Sequence, residues 1–182
     1  PAESLPHLAW TLPAGWVTVA PGEVRLASFN VKGQGNKQAD VSVIPLPGLA
    51  GGDLNNVNRW RGQVGLQPVT PEELAKLAEK VEIAGLEASL YEQAGQNPAE
   101  EGKTRILAAI QHREGTAWFF KMAGDDELVA QQKPAFVEFL QSFRFEAVES
   151  QPALPPSHPP IAGVTTQPGG AGESGAKPGW EV

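Results

Sequence analysis

The densest cluster of groups able to recognise a ligand lies in residues 51–66, Gly-Gly-Asp-Leu-Asn-Asn-Val-Asn-Arg-Trp-Arg-Gly-Gln-Val-Gly-Leu. Asn58, Arg59 and Gln63 supply amide and guanidinium groups, Arg61 a second cation and Trp60 an indole face. A polar strip of that kind beside a wall of Trp60 and Trp118 matches the usual make-up of a binding pocket. A structural reading uses the same residues. Trp60 anchors a core, Asn55 and Asn58 bind loop backbone, and Arg59 or Arg61 stacks on an aromatic ring or pairs with a strand glutamate.

Reactive constellations are harder to find. The chain has no cysteine, which removes disulfides, thiolate metal sites and cysteine nucleophiles. There is no Gly-x-Ser-x-Gly elbow, and Ser142, set among aromatics, reads as a helix-end hydroxyl satisfying backbone. His7, His112 and His158 lack ligand spacing, and Asp125-Asp-Glu reads as a solvated turn. Glu87 and Glu92 fall on opposite faces of one strand by parity, so they cannot converge as an acid–base pair. Gly51-Gly-Asp at a helix start could attract an anion, but Asp53 competes for the same N–H groups and no Lys completes a phosphate loop. The sequence therefore assigns no catalytic residue, no metal and no cofactor.

The elements that position these groups follow from periodicity. Residues 10–16 read as a strand entry broken by a Pro-Ala-Gly turn and continued by 17–19. Residues 23–31 and 40–46 form a hairpin about Gly33-Gln-Gly-Asn-Lys, with Pro45 putting the second strand's end on an edge or outside the ladder. Asp53 is the expected N-cap of a helix burying Leu54, Val57, Trp60 and Val64, with Asn55, Asn58, Arg59 and Gln63 opposite. Thr70-Pro-Glu-Glu is a capping box opening a helix that buries Leu74, Leu77 and Ala78 and ends near Lys80. Strands follow at 81–83, 86–93, 103–112 and 116–123. In the last, Trp118 and Phe120 share one face and Phe119 and Lys121 the other, so it is central and covered on both sides. Lys133-Pro134 opens a final helix with the stripe Phe136, Phe139, Leu140 and Phe143, and Phe145 enters a short last strand.

Composition sets the limits. A formal net charge of −7 argues against non-specific binding to nucleic acid. No apolar run approaches the roughly 18 residues that span a bilayer. From about Gln151 the chain turns Pro- and Gly-rich, with too little apolar content for a core. The closing Trp180-Glu-Val echoes Trp10-Thr-Leu, which would suit a linker before a second copy of the domain. A start at Pro1 reads as a trimmed chain, from a removed signal or lipoprotein leader or from cropping. The expected organisation is an arm at 1–7, a domain at 8–147 and a Pro/Gly-rich tail or linker at 148–182.

The Leu-Pro-x-Gly-Trp opening (residues 12–16) and the Phe136-x-x-Phe-Leu-x-Ser-Phe-x-Phe145 closing bracket this order of elements. Together they resemble the PsbP/Mog1-like fold. The resemblance implies an α+β domain: an antiparallel sheet of about six or seven strands with two or three helices. The Asn-Arg-Trp-Arg-Gly-Gln (58–63) and Trp118-Phe-Phe-Lys-Met-x-Gly124 segments are similar to those of uncharacterised secreted or lipoprotein-type bacterial proteins. That likeness implies a periplasmic or cell-envelope location and a non-catalytic accessory domain. Its implied partner is another envelope protein or membrane-complex subunit, and membrane attachment would come only through a removed or lipidated leader. Two alternatives stay open: a small-molecule-binding protein or hydrolase using Asn58, Arg59 and Gln63, and the first domain of a tandem-domain protein.

Overall fold

The computed structural model describes residues 7–99 and 101–146. Expectations for residues 1–6 and 147–182, His158 and the Trp180 echo included, lie outside them. Among the described residues nine strands and three helices run in the order β1 (His7–Ala9), β2 (Trp16–Val19), β3 (Ala27–Lys32), β4 (Gln38–Pro47), α1 (Asp53–Gln63), α2 (Pro71–Leu77), β5 (Glu79–Ile83), β6 (Leu86–Gly95), β7 (Thr104–Arg113), β8 (Thr116–Asp125), α3 (Asp126–Gln141) and β9 (Arg144–Glu146). Seven strands form one antiparallel sheet ordered β2-β3-β4-β8-β7-β6-β5, and β1 pairs with β9 in a separate two-stranded ladder. The fold is α+β, as the alternating segments imply.

Strand parity divides the core in two. On one face Phe29, Val41, Leu107, Trp118 and Phe120 meet Val129, Phe136, Phe139 and Leu140 of α3. On the other, Tyr91, Ile106, Ile110 and Phe119 meet Val57, Trp60 and Val64 of α1. Strand β8 lies between β4 and β7 and is covered on both faces, as its all-aromatic centre predicts. Residues 8–12 pack on the α3 side. Trp10 lies 5.8 Å from Phe29 and 5.6 Å from Phe143, and Ser142 ties this segment down by accepting from Thr11 N at 2.9 Å. Ser142 is the cap residue that its place at a helix end suggests.

Three local readings are corrected and a fourth is narrowed. Residues 23–26 are a turn rather than strand, which lets Arg25 reach back over β3 and β4. Pro45 is not outside the ladder but pairs with Trp118, and it lies on an edge only on its β3 side, as one of the two expected placements has it. Val43 O accepts from Leu26 N, so its polar groups face β3. By the two-residue period the missing N–H of Pro45 faces the same way, past the end of β3 at Ala27, where no partner is lost. Helix α3 begins at Asp126, capped by Asp125 on Leu128 N at 3.0 Å, so the Asp125-Asp-Glu triplet is a helix start. Pro134 sits inside that helix. The carbonyl it leaves unbonded belongs to Ala130, which is exposed and open to water. Finally, α2 has its Thr70–Glu73 capping box but buries nothing. Leu77 is exposed, and Leu74 and Ala78 are only half-buried against the second core cluster.

The end of α1 is seated by close backbone approach. A Cβ on Gly95 would stand 2.1 Å from Val64 O, and one on Gly65 2.5 Å from Gln96 O. Only glycine lets the α1 exit and the end of β6 come this near.

Candidate functional site

Most of the polar density of residues 51–66 is committed to the chain's own backbone. The N-cap of α1 is Gly52, not Asp53, and it makes no side-chain cap. Asn55 donates to Gly51 O at 2.8 Å, and buried Asn56 donates to Ala50 O and Gly52 O at 3.0 and 2.8 Å. Asn58 grips both polar groups of Val69, accepting from its N–H at 2.8 Å and donating to its C=O at 3.1 Å. Arg61 Nε donates to Gln67 O at 2.7 Å. Of the six expected site residues, Arg59 and Gln63 remain exposed on the helix surface.

A shared Trp60–Trp118 wall does not form. Trp60 packs edge-to-face on Phe119 at 6.0 Å, whereas Trp118 meets Phe120 and Phe145 on the opposite side of the sheet. Parity along β8 requires this once α1 takes the Phe119 face.

Asp53 instead contacts His112, at 2.7 Å from Nε2, where β7 ends beside the start of α1. No local spacing announces that pair, since 59 residues separate its members. Among the described residues no serine or threonine hydroxyl hydrogen-bonds to His112 as a nucleophile would. Glu87 and Glu92 do lie on opposite faces. Glu92 joins Arg105 and, at 2.6 Å, Lys133, which also holds Glu79 at 3.0 Å; Arg105 Nε reaches Asp126 at 2.8 Å. Burial raises the Glu92 pKa, but the hydrogen bonds and charges of Lys133 and Arg105 outweigh it and hold the carboxyl below its ordinary value. This network staples α3 to β5, β6 and β7.

A cleft of about 510 Å³ at the β5–β6 turn is lined by Glu82, Arg113, Gln141 and Arg144. Its central cation is already engaged: Arg113 donates to Ala84 O at 2.9 Å and lies 4.1 Å over the Phe145 ring.

The unspent chemistry lies on the sheet beside α1. The helix packs over β6, β7 and β8, and no helix packs on that side of β2, β3 and the amino-terminal half of β4, where Ser28 and Ser42 are nonetheless buried among their neighbours. Register places Val19, Ser28, Ser42 and Lys121 in one row across β2, β3, β4 and β8. Val17, Asn30 and Asp40 form the next row. Arg25 lies over both, donating to Ser28 Oγ at 3.0 Å and Asp40 Oδ1 at 2.9 Å. Val17 is 56% exposed and Val19 38%. Lys121 is half-buried, with Nζ 5.8 Å from the centre of the Trp60 ring and no carboxylate partner among the described residues. Burial and the neighbouring charges of Arg59 and Arg25 push its pKa down, with Asp40 opposing them. The sequence reading found Arg59 and Trp60 at the rim of this surface but missed Lys121, Ser42 and Ser28. Register across three distant segments creates the row, and no spacing within one segment signals it.

Among the described residues no group of three His, Asp or Glu side chains is placed to hold a metal ion, and no helix is long and apolar enough to cross a membrane. No family model matches the sequence, and no curated protein does. Two solved structures follow a similar backbone course. One is a protein of Bacteroides thetaiotaomicron, with TM-score 0.48 and 12% identity over 78% of this chain and 46% of that one. The other is LpqN of Mycobacterium tuberculosis, described as involved in cell envelope biogenesis, with TM-score 0.45 and 13% identity over 78% of this chain and 84% of that one. The chain thus spans less than half the length of the Bacteroides protein.

Proposed function

We propose that this chain is a non-catalytic accessory domain of the bacterial cell envelope that docks a partner protein on the open half-face beside α1. The observation that carries the reading is the placing of exposed Val17 and Val19, on strands no helix packs over, in line with a half-buried Lys121 that has no bonded carboxylate among the described residues and stands at the margin of α1. Exposed apolar side chains next to uncompensated charge mark a surface prepared for a complementary one. The two sheet edges point the same way. Edge strand β5, Glu-Lys-Val-Glu-Ile, carries the charges that discourage pairing, while β2, Trp-Val-Thr-Val, carries none. The envelope location and the PsbP/Mog1-like assignment belong to the same proposal and are supported by the sequence resemblance.

Ligand binding or hydrolysis through Asn58, Arg59 and Gln63 is disfavoured, because the Asn58 amide is occupied on both sides by Val69. The test is photo-crosslinking in the source organism from position 17, with position 86 on β6 as control, combined with cell fractionation. The reading expects one discrete protein adduct from position 17, lost when Val19→Lys is introduced, absent from position 86 and found in the envelope fraction. Equal labelling from both positions, insensitivity to Val19→Lys or a cytoplasmic adduct would overturn it.

A further inference from the structure

We infer that Lys121, with Ser42 and Ser28 beside it in register, is the point on this face that receives a carboxylate from an acidic segment of the partner. The inference rests on the docking reading above and names the chemistry of what docks. Its starting point is an electrostatic imbalance. The Lys121 ammonium is partly withdrawn from water, and the charges around it from every packed element are Arg59 on α1, Arg25 before β3 and Asp40 on β4. Asp40 is already bonded to Arg25 at 2.9 Å. Asp40 attracts Lys121 more strongly than Arg25 repels it, yet burial and the Arg59 charge outweigh that attraction, and among the described residues no carboxylate bonds the ammonium. The Trp60 ring, 5.8 Å away, offers only a weak cation–π attraction. Unpaired, partly buried charge is what folded chains avoid unless something else supplies the partner.

The surroundings favour a peptide carboxylate over an inorganic anion. Ser42 stands opposite Lys121 on β4, and its hydroxyl has no partner among the described residues, so it can donate to an incoming oxygen. In the next row Asp40, bonded to Arg25, keeps a carboxylate beside the site, so a singly charged carboxylate fits where the second negative charge of phosphate would face Asp40. The apolar end of the row sets the spacing. Val19 lies three strands from Lys121, about 14 Å at the usual inter-strand distance. The segment that fits carries its acidic and apolar groups about 14 Å apart, some four residues along an extended chain.

The experiment is an NMR titration of the full 182-residue chain, isotope-labelled, with acetate and separately with inorganic phosphate at constant ionic strength. Expected is a saturable shift of the Lys121 side chain and of the Ser28 and Ser42 amides by acetate. The Lys121 titration midpoint should rise as the anion binds. The response should vanish in Lys121→Met and weaken in Arg59→Gln, an exposed position whose change leaves the fold alone. Three results would overturn the assignment: no saturable shift by about 200 mM acetate, the same shift in Lys121→Met, or phosphate binding more than about tenfold tighter than acetate. Failure of the titration with position-17 crosslinking intact removes the carboxylate and leaves the docking face. Loss of specific crosslinking with acetate binding retained removes the docking face instead.

Discussion

Replacing Asn58 and Arg59 one at a time separates the two roles the helix sequence offers. Asn58 makes two hydrogen bonds to Val69, at 2.8 and 3.1 Å, which hold the connection between α1 and α2 against the helix. A net contribution of about 1 kcal/mol for each bond puts Asn58→Ala at about 2 kcal/mol of lost stability, since half-buried Val69 can recover part of its bonding from water. For a chain of this size that corresponds to a fall in Tm of roughly 4–8 °C. Asn58→Asp should be no better: it keeps the acceptor for Val69 N–H but sets a carboxylate oxygen against Val69 C=O. Arg59 is exposed and makes no hydrogen bond or ion pair among the described residues, so Arg59→Ala should stay within about 0.5 kcal/mol of the parent. Urea unfolding followed by fluorescence of the five tryptophans reads both variants on one scale. An Asn58→Ala variant as stable as the parent, or an Arg59→Ala variant that loses more than Asn58→Ala, would refute the assignment of Asn58 to scaffold and Arg59 to surface.

Two further substitutions test how α1 and α3 are fixed. Gly95→Ala brings a Cβ to 2.1 Å from Val64 O and should cost at least about 1–3 kcal/mol, because backbone must move. Gly62→Ala, in open space on the helix, should stabilise by about 0.5–1 kcal/mol; urea midpoints of the pair in the same direction would contradict the close approach. Glu92→Gln should cost about 1–3 kcal/mol at pH 7, the figure reduced because the group is about a quarter exposed. The folded pKa of Glu92 lies below its unfolded value of about 4.3, so this stability is fully present above that pH and is lost as pH falls through the folded pKa. The deficit of Glu92→Gln should therefore shrink on acidification, and a deficit unchanged from pH 7 to pH 3 would count against the network.

What the sequence disclosed and what it withheld divide along the distance over which each feature is decided. The β5–β6 and β7–β8 turns are carried by neighbouring residues, Ala84-Gly85 and Glu114-Gly115, which all take positive φ. The Thr70–Glu73 box is equally local. Pro134 misleads because the usual rule counts a lost hydrogen bond, whereas here the freed carbonyl faces water. Asp53 misleads for the opposite reason, since His112, 59 residues on, competes for its carboxylate. Parity along β8 predicts that Trp118 and Phe119 point apart, but only the packed fold shows which face α1 takes. The candidate site is the extreme case. Ser28, Ser42 and Lys121 become neighbours only after β3, β4 and β8 have paired in their observed register. A shift of one residue in that register would send Lys121 into the α3 core and bring Phe120 onto the open face. The burial of Phe120, Phe29 and Val41 that fixes the core is therefore also what fixes the charge on the surface beside α1.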